Sequence, residues 1–340
     1  MNAPLTAKDF ATDQEVRWCP GCGDYAILKC MQKTLADVGA DPDQTVFVSG
    51  IGCSSRFPYY MNAYGFHTIH GRAPTFATGL KLANPDLDVW VVTGDGDGLS
   101  IGGNHLLHVL RRNVDVQVLL FNNEIYGLTK GQYSPTSRVG TRSPSTPRGS
   151  IDAPVSPCAF ALGAGARFIA RGVDTDAKNL SLVFKAARDF KGAAFVEIFQ
   201  NCIVYNKDVF DDFVEKKHAA ETQLHVEHGK PLLFANGTRG LRLNPQALTL
   251  EIVNIKGESG EGVPEADILV HDETNRALAQ LLLTLPMTGF PMPLGVIYRN
   301  PAPSFNDAFW AAHASQGKRT GTVADALRKG GVWKKEAVKA

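Results

Sequence analysis

What the 340-residue chain lacks narrows it first. It has no excess of charge of either sign: 35 Lys and Arg against 34 Asp and Glu leave a formal charge of +1, which gives no electrostatic case for nucleic acid or an anionic membrane. Long apolar runs are missing too. Leu278–Leu285, interrupted by Gln280 and Thr284, is among the longest, far short of the roughly 20 residues a bilayer requires. The opening MNAPLTAKDFATDQEVRW has no apolar signal-peptide core. These absences predict a cytoplasmic protein that touches neither membrane nor nucleic acid. No internal repeat is evident, and six cysteines in such a chain argue against a disulfide scaffold. The 44% hydrophobic content fits one large α/β core, alone or with an extension.

What is present centres on Val89–Gln132. Val89–Thr93 is a continuous apolar, β-branched run, as in a strand buried on both faces, and it stops at Gly94-Asp95-Gly96-Asp97-Gly98. Leu99–Arg112 carries apolar residues at helical spacing, and Val114–Phe121 returns to strand character before Asn122-Asn123. The three predict a βαβ unit. Its parallel strands put the Asp95 and Asn123 turns at one carboxyl edge of the sheet, where open α/β folds bind ligands. A carboxylate at Asp95, an amide oxygen at Asn123 and the main-chain carbonyl of Ile125 are hard oxygen donors suited to Mg²⁺. The glycines let backbone N–H groups approach a diphosphate, and the next helix directs its positive end there. Other glycine motifs fail. A dinucleotide fingerprint needs glycine where Leu99 stands, and an EF-hand needs oxygen ligands at Leu99 and Leu106.

Trp18-Cys19-Pro20-Gly21-Cys22 precedes a helix predicted over Tyr25–Val38, a position that favours thiolate. Half a zinc site, a dithiol and part of an iron–sulfur site are all open. A zinc ribbon wants a second Cys-x-x-Cys, which is lacking, and a redox dithiol would follow a strand. Two single cysteines, Cys53 and Cys202, each follow a strand-like run, Thr45–Val48 and Ala194–Phe199, so parallel topology brings all four thiols to the Asp95 edge. Four cysteines satisfy a 4Fe-4S cluster, although on spacing alone cluster and zinc stand level. Cys30, inside the helix, and Cys158, in an apolar stretch, read as buried small hydrophobes.

GDGDG followed by NNEIYGLTKGQYSPTS, together with WCPGCGDY, GIGCSS, HGR and NCIVYN in that order, resembles the β subunits of 2-oxoacid:ferredoxin oxidoreductases over roughly the first 210 residues. The resemblance implies a thiamine diphosphate-binding fold, α/β with a doubly wound, mostly parallel sheet, over 1–210. The many short apolar segments of the irregular C-terminal extension over 211–340 predict that it packs on a partner subunit and on the cofactor domain. The resemblance also implies Mg²⁺ on Asp95, Asn123 and the Ile125 carbonyl, and a 4Fe-4S cluster on Cys19, Cys22, Cys53 and Cys202. Thiamine diphosphate would meet Ile51, Gly52, Cys53, Ser54, His70, Gly96, Asp97, Gly127 and Leu128. Lys130 and Lys178 match positions implicated in coenzyme A binding.

The similarity is strongest to 2-oxoglutarate oxidoreductase β subunits. It implies CoA-dependent oxidative decarboxylation of 2-oxoglutarate to succinyl-CoA, with single electrons passing to ferredoxin, and the reverse carboxylation open when ferredoxin is sufficiently reduced. A pyruvate or broad-range 2-oxoacid enzyme is the alternative, and a zinc-stabilised, non-catalytic assembly subunit the rival of another class. An α subunit would supply the activating glutamate within a dimer of heterodimers. Arg56 and Arg72 pair either with a substrate carboxylate or with surface acids, and His105 and His108 read as helix-face residues. Tyr133–Pro157, rich in Ser, Thr, Pro and Gly with Arg138, Arg142 and Arg148, reads as a long mobile loop above the site rather than packed structure, its arginines suited to CoA phosphates. Beyond Asp211 only a helix over Asn275–Leu283 and short apolar segments are legible.

Overall fold

A computed structural model of the chain describes residues 4–257, 261–315, 321–331 and 333. The remaining residues, which include the start of the segment expected at 1–210 and the end of that expected at 211–340, lie outside that description. The strands are β1 (Thr45–Ser49), β2 (Tyr64–His67), β3 (Asp88–Gly94), β4 (Gln117–Asn122), a small hairpin of β5 (Ile125–Tyr126) and β6 (Gln132–Tyr133), β7 (Phe168–Val173), β8 (Ala194–Phe199), β9 (Gln223–Val226), β10 (Leu233–Phe234), β11 (Arg239–Asn244), β12 (Thr249–Asn254) and β13 (Met292–Arg299). Eight of them form one sheet in the order β2-β1-β3-β4-β8-β7-β13-β9, parallel throughout except where β13 runs against β7.

The central strands are apolar without interruption because both faces are covered. Alternate residues divide between the two layers. Val46, Val48, Val89, Val91, Val118 and Leu120 pack under α2 (Ala73–Ala83), α3 (Gly103–Arg112) and Pro157–Gly163. Phe47, Trp90, Val92, Leu119, Phe121 and Ile198 pack under α1 (Asp24–Asp37) and Ala177–Asp189. Register fixes the working edge: Gly94 pairs with Phe121, and Asn122 with Phe199, so β3, β4 and β8 end level.

Element bounds differ from expectation in a few places. The helix after β3 does not run smoothly from Leu99. A π turn over Asp97–Ile101, closed by Gly102 N–H donating to the Asp97 carbonyl at 3.0 Å, precedes α3, and such wide turns inside helices are frequent at functional sites. The segment after 210 is made of short, broken elements, yet β9 and β13 complete the main sheet while β10–β12 form a small antiparallel sheet. The helix expected at Asn275–Leu283 runs over Arg276–Leu283, capped by the Asn275 side chain, which accepts from Ala277 and Leu278 N–H, and further helices the sequence did not reveal include Lys216–Thr222 and Phe305–Ser315. Among the described residues, no helix is long and apolar enough to cross a membrane.

Candidate active site

Two adjoining cavities open at the carboxyl edge. Ile51, Gly52, Cys53, Ser54, His70, Asp95, Gly96, Asp97, Asn123, Ile125, Gly127 and Leu128 all line the first. The second, of about 180 Å³, is lined by Cys19, Cys22, Cys53 and Cys202, with Arg17, Arg56, Lys130 and Gln200 around them. Cys53, Asn123, Gly127 and Leu128 form the wall the two share.

In the first cavity the Asp95 carboxylate is buried, and its Oδ2 accepts hydrogen bonds from Ser134 Oγ and Thr136 Oγ1, both at 2.6 Å. Burial pushes its pKa up to about 6 against the pull of those two hydroxyls. A divalent cation would favour the ionised form that burial disfavours. Asn123 Nδ2 donates to Gln200 Oε1 at 2.8 Å, which commits its nitrogen and leaves Oδ1 as the oxygen available to a ligand, beside the Ile125 N–H at 3.2 Å. The Ile125 carbonyl accepts from Gly127 N–H at 3.1 Å and keeps a second lone pair. Three hard oxygens of this kind fit Mg²⁺.

Asp97 also lines the cavity, but its oxygens are engaged. Oδ1 accepts from Ile51 N–H, Gly71 N–H and His70 Nδ1 at 3.0, 2.6 and 2.5 Å, and Oδ2 accepts from Thr93 Oγ1 at 2.6 Å. One carboxylate thus lashes the β1 turn and the His70 turn to the end of β3. Gly96 is bare because a Cβ there would lie 2.2 Å from the Tyr126 ring.

The thiols arrive from three places in sequence. Trp18 anchors the first pair: its indole Nε1 donates to the Cys53 carbonyl at 2.7 Å, and its ring packs edge-on against Tyr60 at 4.8 Å between centroids. Gly21, at φ +86°, turns the chain where a side chain would meet Ile203. Gly23 N–H then donates to the Asn201 carbonyl at 3.2 Å, fastening this loop to the Cys202 segment. A Cβ on Gly127 would stand 3.4 Å from Cys202 Sγ and 3.6 Å from Cys53 Sγ, so the missing side chain leaves room beside both sulfurs.

The helix N-terminus does not make Cys22 a thiolate in the metal-free chain, contrary to the sequence expectation. Burial and the neighbouring Asp24 carboxylate push its pKa up, and burial raises that of Cys53 to about 12. A bound metal centre would reverse this. Among the described residues no group of three or more His, Cys, Asp or Glu is gathered tightly enough to hold one metal ion. A 4Fe-4S cluster asks for four cysteine thiolates, one to each iron, and four cysteines line this cavity.

Cys30 and Cys158 are buried away from this cavity, Cys158 with its thiol 3.1 Å from Glu197. Arg56 Nη1 donates to the Arg17 carbonyl, and Arg72 Nη1 to the His70 and Ile101 carbonyls, so both cations sit on main chain and not on acids. Lys130 and Lys178 are not brought together. Lys130 stands at the thiol cavity, whereas Lys178 lines a separate groove with Asp176, Asn179 and His225.

The loop after Tyr133 is not simply suspended above the site. Ser134, Thr136 and Ser137 are buried, and Ser137 Oγ donates to the Glu124 carbonyl at 2.5 Å. Arg138 is held by the Glu124 carboxylate at 3.2 Å and the Val209 carbonyl at 2.6 Å, so it is not free for phosphate, while Arg142 and Arg148 are exposed. Ser134, Thr136, Gln200 and Asn206 are the functional positions the sequence did not single out. Asn206 Nδ2 donates to the Asn123 carbonyl at 2.9 Å. The hydroxyl run Ser134-Pro135-Thr136-Ser137 follows β6 and reads locally as open loop.

Residues 50–198 match the family model described as "Thiamine pyrophosphate enzyme, C-terminal TPP binding domain". The chain is 59% identical over 235 residues to 2-oxoglutarate oxidoreductase subunit KorB of Mycobacterium tuberculosis, a match covering 69% of this chain and 63% of that relative, so the similarity spans less than two thirds of the relative's length. It is 45% identical over 208 residues to the 2-oxoacid:ferredoxin oxidoreductase subunit beta of a Sulfolobus species, covering 61% of this chain and 68% of that one. Among solved structures, 2-oxoglutarate:ferredoxin oxidoreductase from Magnetococcus marinus, with 2-oxoglutarate, coenzyme A and succinyl-CoA bound, superposes with a TM-score of 0.76 at 32% identity, covering 96% of both chains.

Proposed function

The chain belongs to the β-subunit family of 2-oxoacid:ferredoxin oxidoreductases, and from that premise we propose that it is the β subunit of a CoA-dependent 2-oxoglutarate:ferredoxin oxidoreductase. The net reaction converts 2-oxoglutarate, coenzyme A and two oxidised ferredoxins into succinyl-CoA, carbon dioxide, two reduced ferredoxins and a proton. The observation that carries this reading is the wall shared by the two cavities. A diphosphate cradle and four thiols meet across Cys53, Asn123, Gly127 and Leu128, which puts a carbanion-forming cofactor and a one-electron centre next to each other.

When bound, thiamine diphosphate supplies the carbanion chemistry and a 4Fe-4S cluster the one-electron route to ferredoxin. The chain's own residues bind and orient. Asp95, Asn123 and the Ile125 carbonyl would hold Mg²⁺, with Ser134 and Thr136 fixing the Asp95 carboxylate. Asp97 keeps the Ile51 and His70 turns closed around the cofactor. Cys19, Cys22, Cys53 and Cys202 would hold the cluster. Lys130 would meet coenzyme A at the thiol cavity, with Lys178 a second contact along its own groove. An α subunit would supply the activating base and complete a dimer of heterodimers. Six unpaired cysteines suit a reducing, cytoplasmic setting.

Copurification with the α subunit, followed by CoA-dependent viologen reduction, tests the proposal. Turnover with 2-oxoglutarate well above that with pyruvate is expected. Equal or greater turnover with pyruvate would overturn the substrate, and a colourless, zinc-bearing complex would overturn the reaction class.

A further inference from the structure

Gln200 stands between the two cavities and touches the proposed ligands of both. It follows β8 directly, its N–H donating to the Asn122 carbonyl at 2.9 Å, and its side chain is buried at 2% exposure. Nε2 donates to Cys22 Sγ at 3.2 Å and to the Asn201 carbonyl at 2.7 Å, while Oε1 accepts from Asn123 Nδ2 at 2.8 Å. A carboxamide has two N–H donors and one carbonyl, and here each has a partner.

This arrangement has a direction. Cys22 sulfur and the Asn201 carbonyl are both acceptors, so the nitrogen of Gln200 must face them and its oxygen must face Asn123. Facing that oxygen, Asn123 must present its nitrogen, which turns its own Oδ1 away toward the diphosphate cradle. Ile125 N–H donates to that Oδ1 at 3.2 Å, so the proposed magnesium ligand is oriented from both ends, by Gln200 on the thiol side and by main chain on the other.

We propose that Gln200 is a positioning residue that serves both centres: it presents the Asn123 oxygen to Mg²⁺, and its N–H donated to Cys22 raises the reduction potential of the cluster. The inference rests on the reading of Cys22 and Asn123 as ligands. The first effect follows because an amide left with the Ile125 N–H as its remaining side-chain restraint flips more readily and then offers N–H to a cation. The second follows because hydrogen bonds to ligand sulfur favour the more negative, reduced cluster.

Two variants of the anaerobically purified complex separate the roles. Gln200→Met keeps the volume and removes every side-chain hydrogen bond. Gln200→Glu keeps an acceptor for Asn123 and loses the donor to Cys22. Thiamine diphosphate affinity is read at fixed MgCl₂ by tryptophan fluorescence, and the cluster potential by an EPR-monitored redox titration. For Gln200→Met the Kd should rise about tenfold, the scale of one lost hydrogen bond to a buried polar group, and the potential should fall. For Gln200→Glu the potential should fall while the Kd does not rise. An unchanged potential in both variants, or a Kd weakened equally by Glu and Met, would overturn the proposal. Should either variant fail to take up iron, the Kd of the iron-free chain still decides the Asn123 half. Wild-type complex lacking a dithionite-reducible EPR signal or Mg²⁺-dependent binding would instead sink the ligand reading on which the inference stands.

Discussion

Ser134→Ala is the perturbation most tightly tied to the geometry of the magnesium cradle. Ser134 Oγ lies 2.6 Å from Asp95 Oδ2, and both groups are buried. A hydrogen bond to a buried carboxylate contributes roughly 1.5 to 3 kcal/mol to the ionised form, which is about one to two pKa units. Burial already holds Asp95 at about 6, so losing the hydroxyl carries it to between about 7 and 8. The metal needs the carboxylate, and a proton competes for it. At pH 7 the wild-type site is mostly ionised, whereas the variant is mostly protonated, so apparent Mg²⁺ affinity should fall roughly fourfold for a shift near the middle of that range. By pH 8.5 the loss should nearly vanish. Calorimetric Mg²⁺ titrations at saturating thiamine diphosphate, run from pH 6 to 8.5 in two buffers, read both the affinity and the protons released. The diphosphate's own titration is common to both proteins and cancels in the comparison. A loss constant across that range, or none at pH 7, would refute the reasoning.

Four further outcomes follow. In the metal-free chain the raised pKa of Asp95 gives a stability contribution that is full below the ordinary carboxylate value of 3.8 and is lost as pH rises through about 6. Asp95→Asn should therefore resist denaturant better than wild type at pH 7.5 without Mg²⁺, and should gain nothing when Mg²⁺ and thiamine diphosphate are added; a less stable metal-free variant would count against the burial argument. Gly96→Ala drives a Cβ to 2.2 Å from the Tyr126 ring and should cost about 1 to 3 kcal/mol by thermal or chemical denaturation. Arg171 and Glu197 form a buried pair at 2.9 Å, so Arg171→Met should destabilise by about 3 to 5 kcal/mol, and adding Glu197→Leu should recover much of that. Cys22→Ser should bleach the visible band of anaerobic protein, while Cys30→Ala, away from the thiol cavity, should leave it intact; equal spectra would contradict the ligand set.

Much of this was legible in the sequence, for identifiable reasons. Val89–Thr93 and Val114–Phe121 are apolar throughout because β3 and β4 are covered on both faces, and that covering is what the parallel topology requires. Once the topology is parallel, the Asp95 and Asn123 turns have one place to go. Cys53 and Cys202 follow strands of the same sheet and reach the same edge by the same logic. The hydroxyls behind Asp95 escaped because a Ser, Thr and Pro composition reads as open loop, and nothing local reveals that Ser134 and Thr136 turn inward to a residue about forty positions earlier. Gln200 escaped because its role consists of two long-range side-chain contacts with no spacing of its own. Strands β9 and β13 were obscured by their setting: β9 has four residues, and β13 lies far along the chain and joins the sheet antiparallel to β7. The ionisation of Cys22 ran opposite to the helix-terminus argument because burial and Asp24 outweigh a partial charge at the end of a helix.

The central claim is that the four cysteines at the carboxyl edge hold an iron–sulfur cluster against the thiamine diphosphate cradle. Iron, acid-labile sulfide and zinc, determined together on anaerobically purified protein with its optical spectrum before and after dithionite, test it most directly. The account predicts about four irons and four sulfides per chain, with a broad charge-transfer absorption that dithionite bleaches. Colourless protein carrying zinc and no sulfide would contradict it.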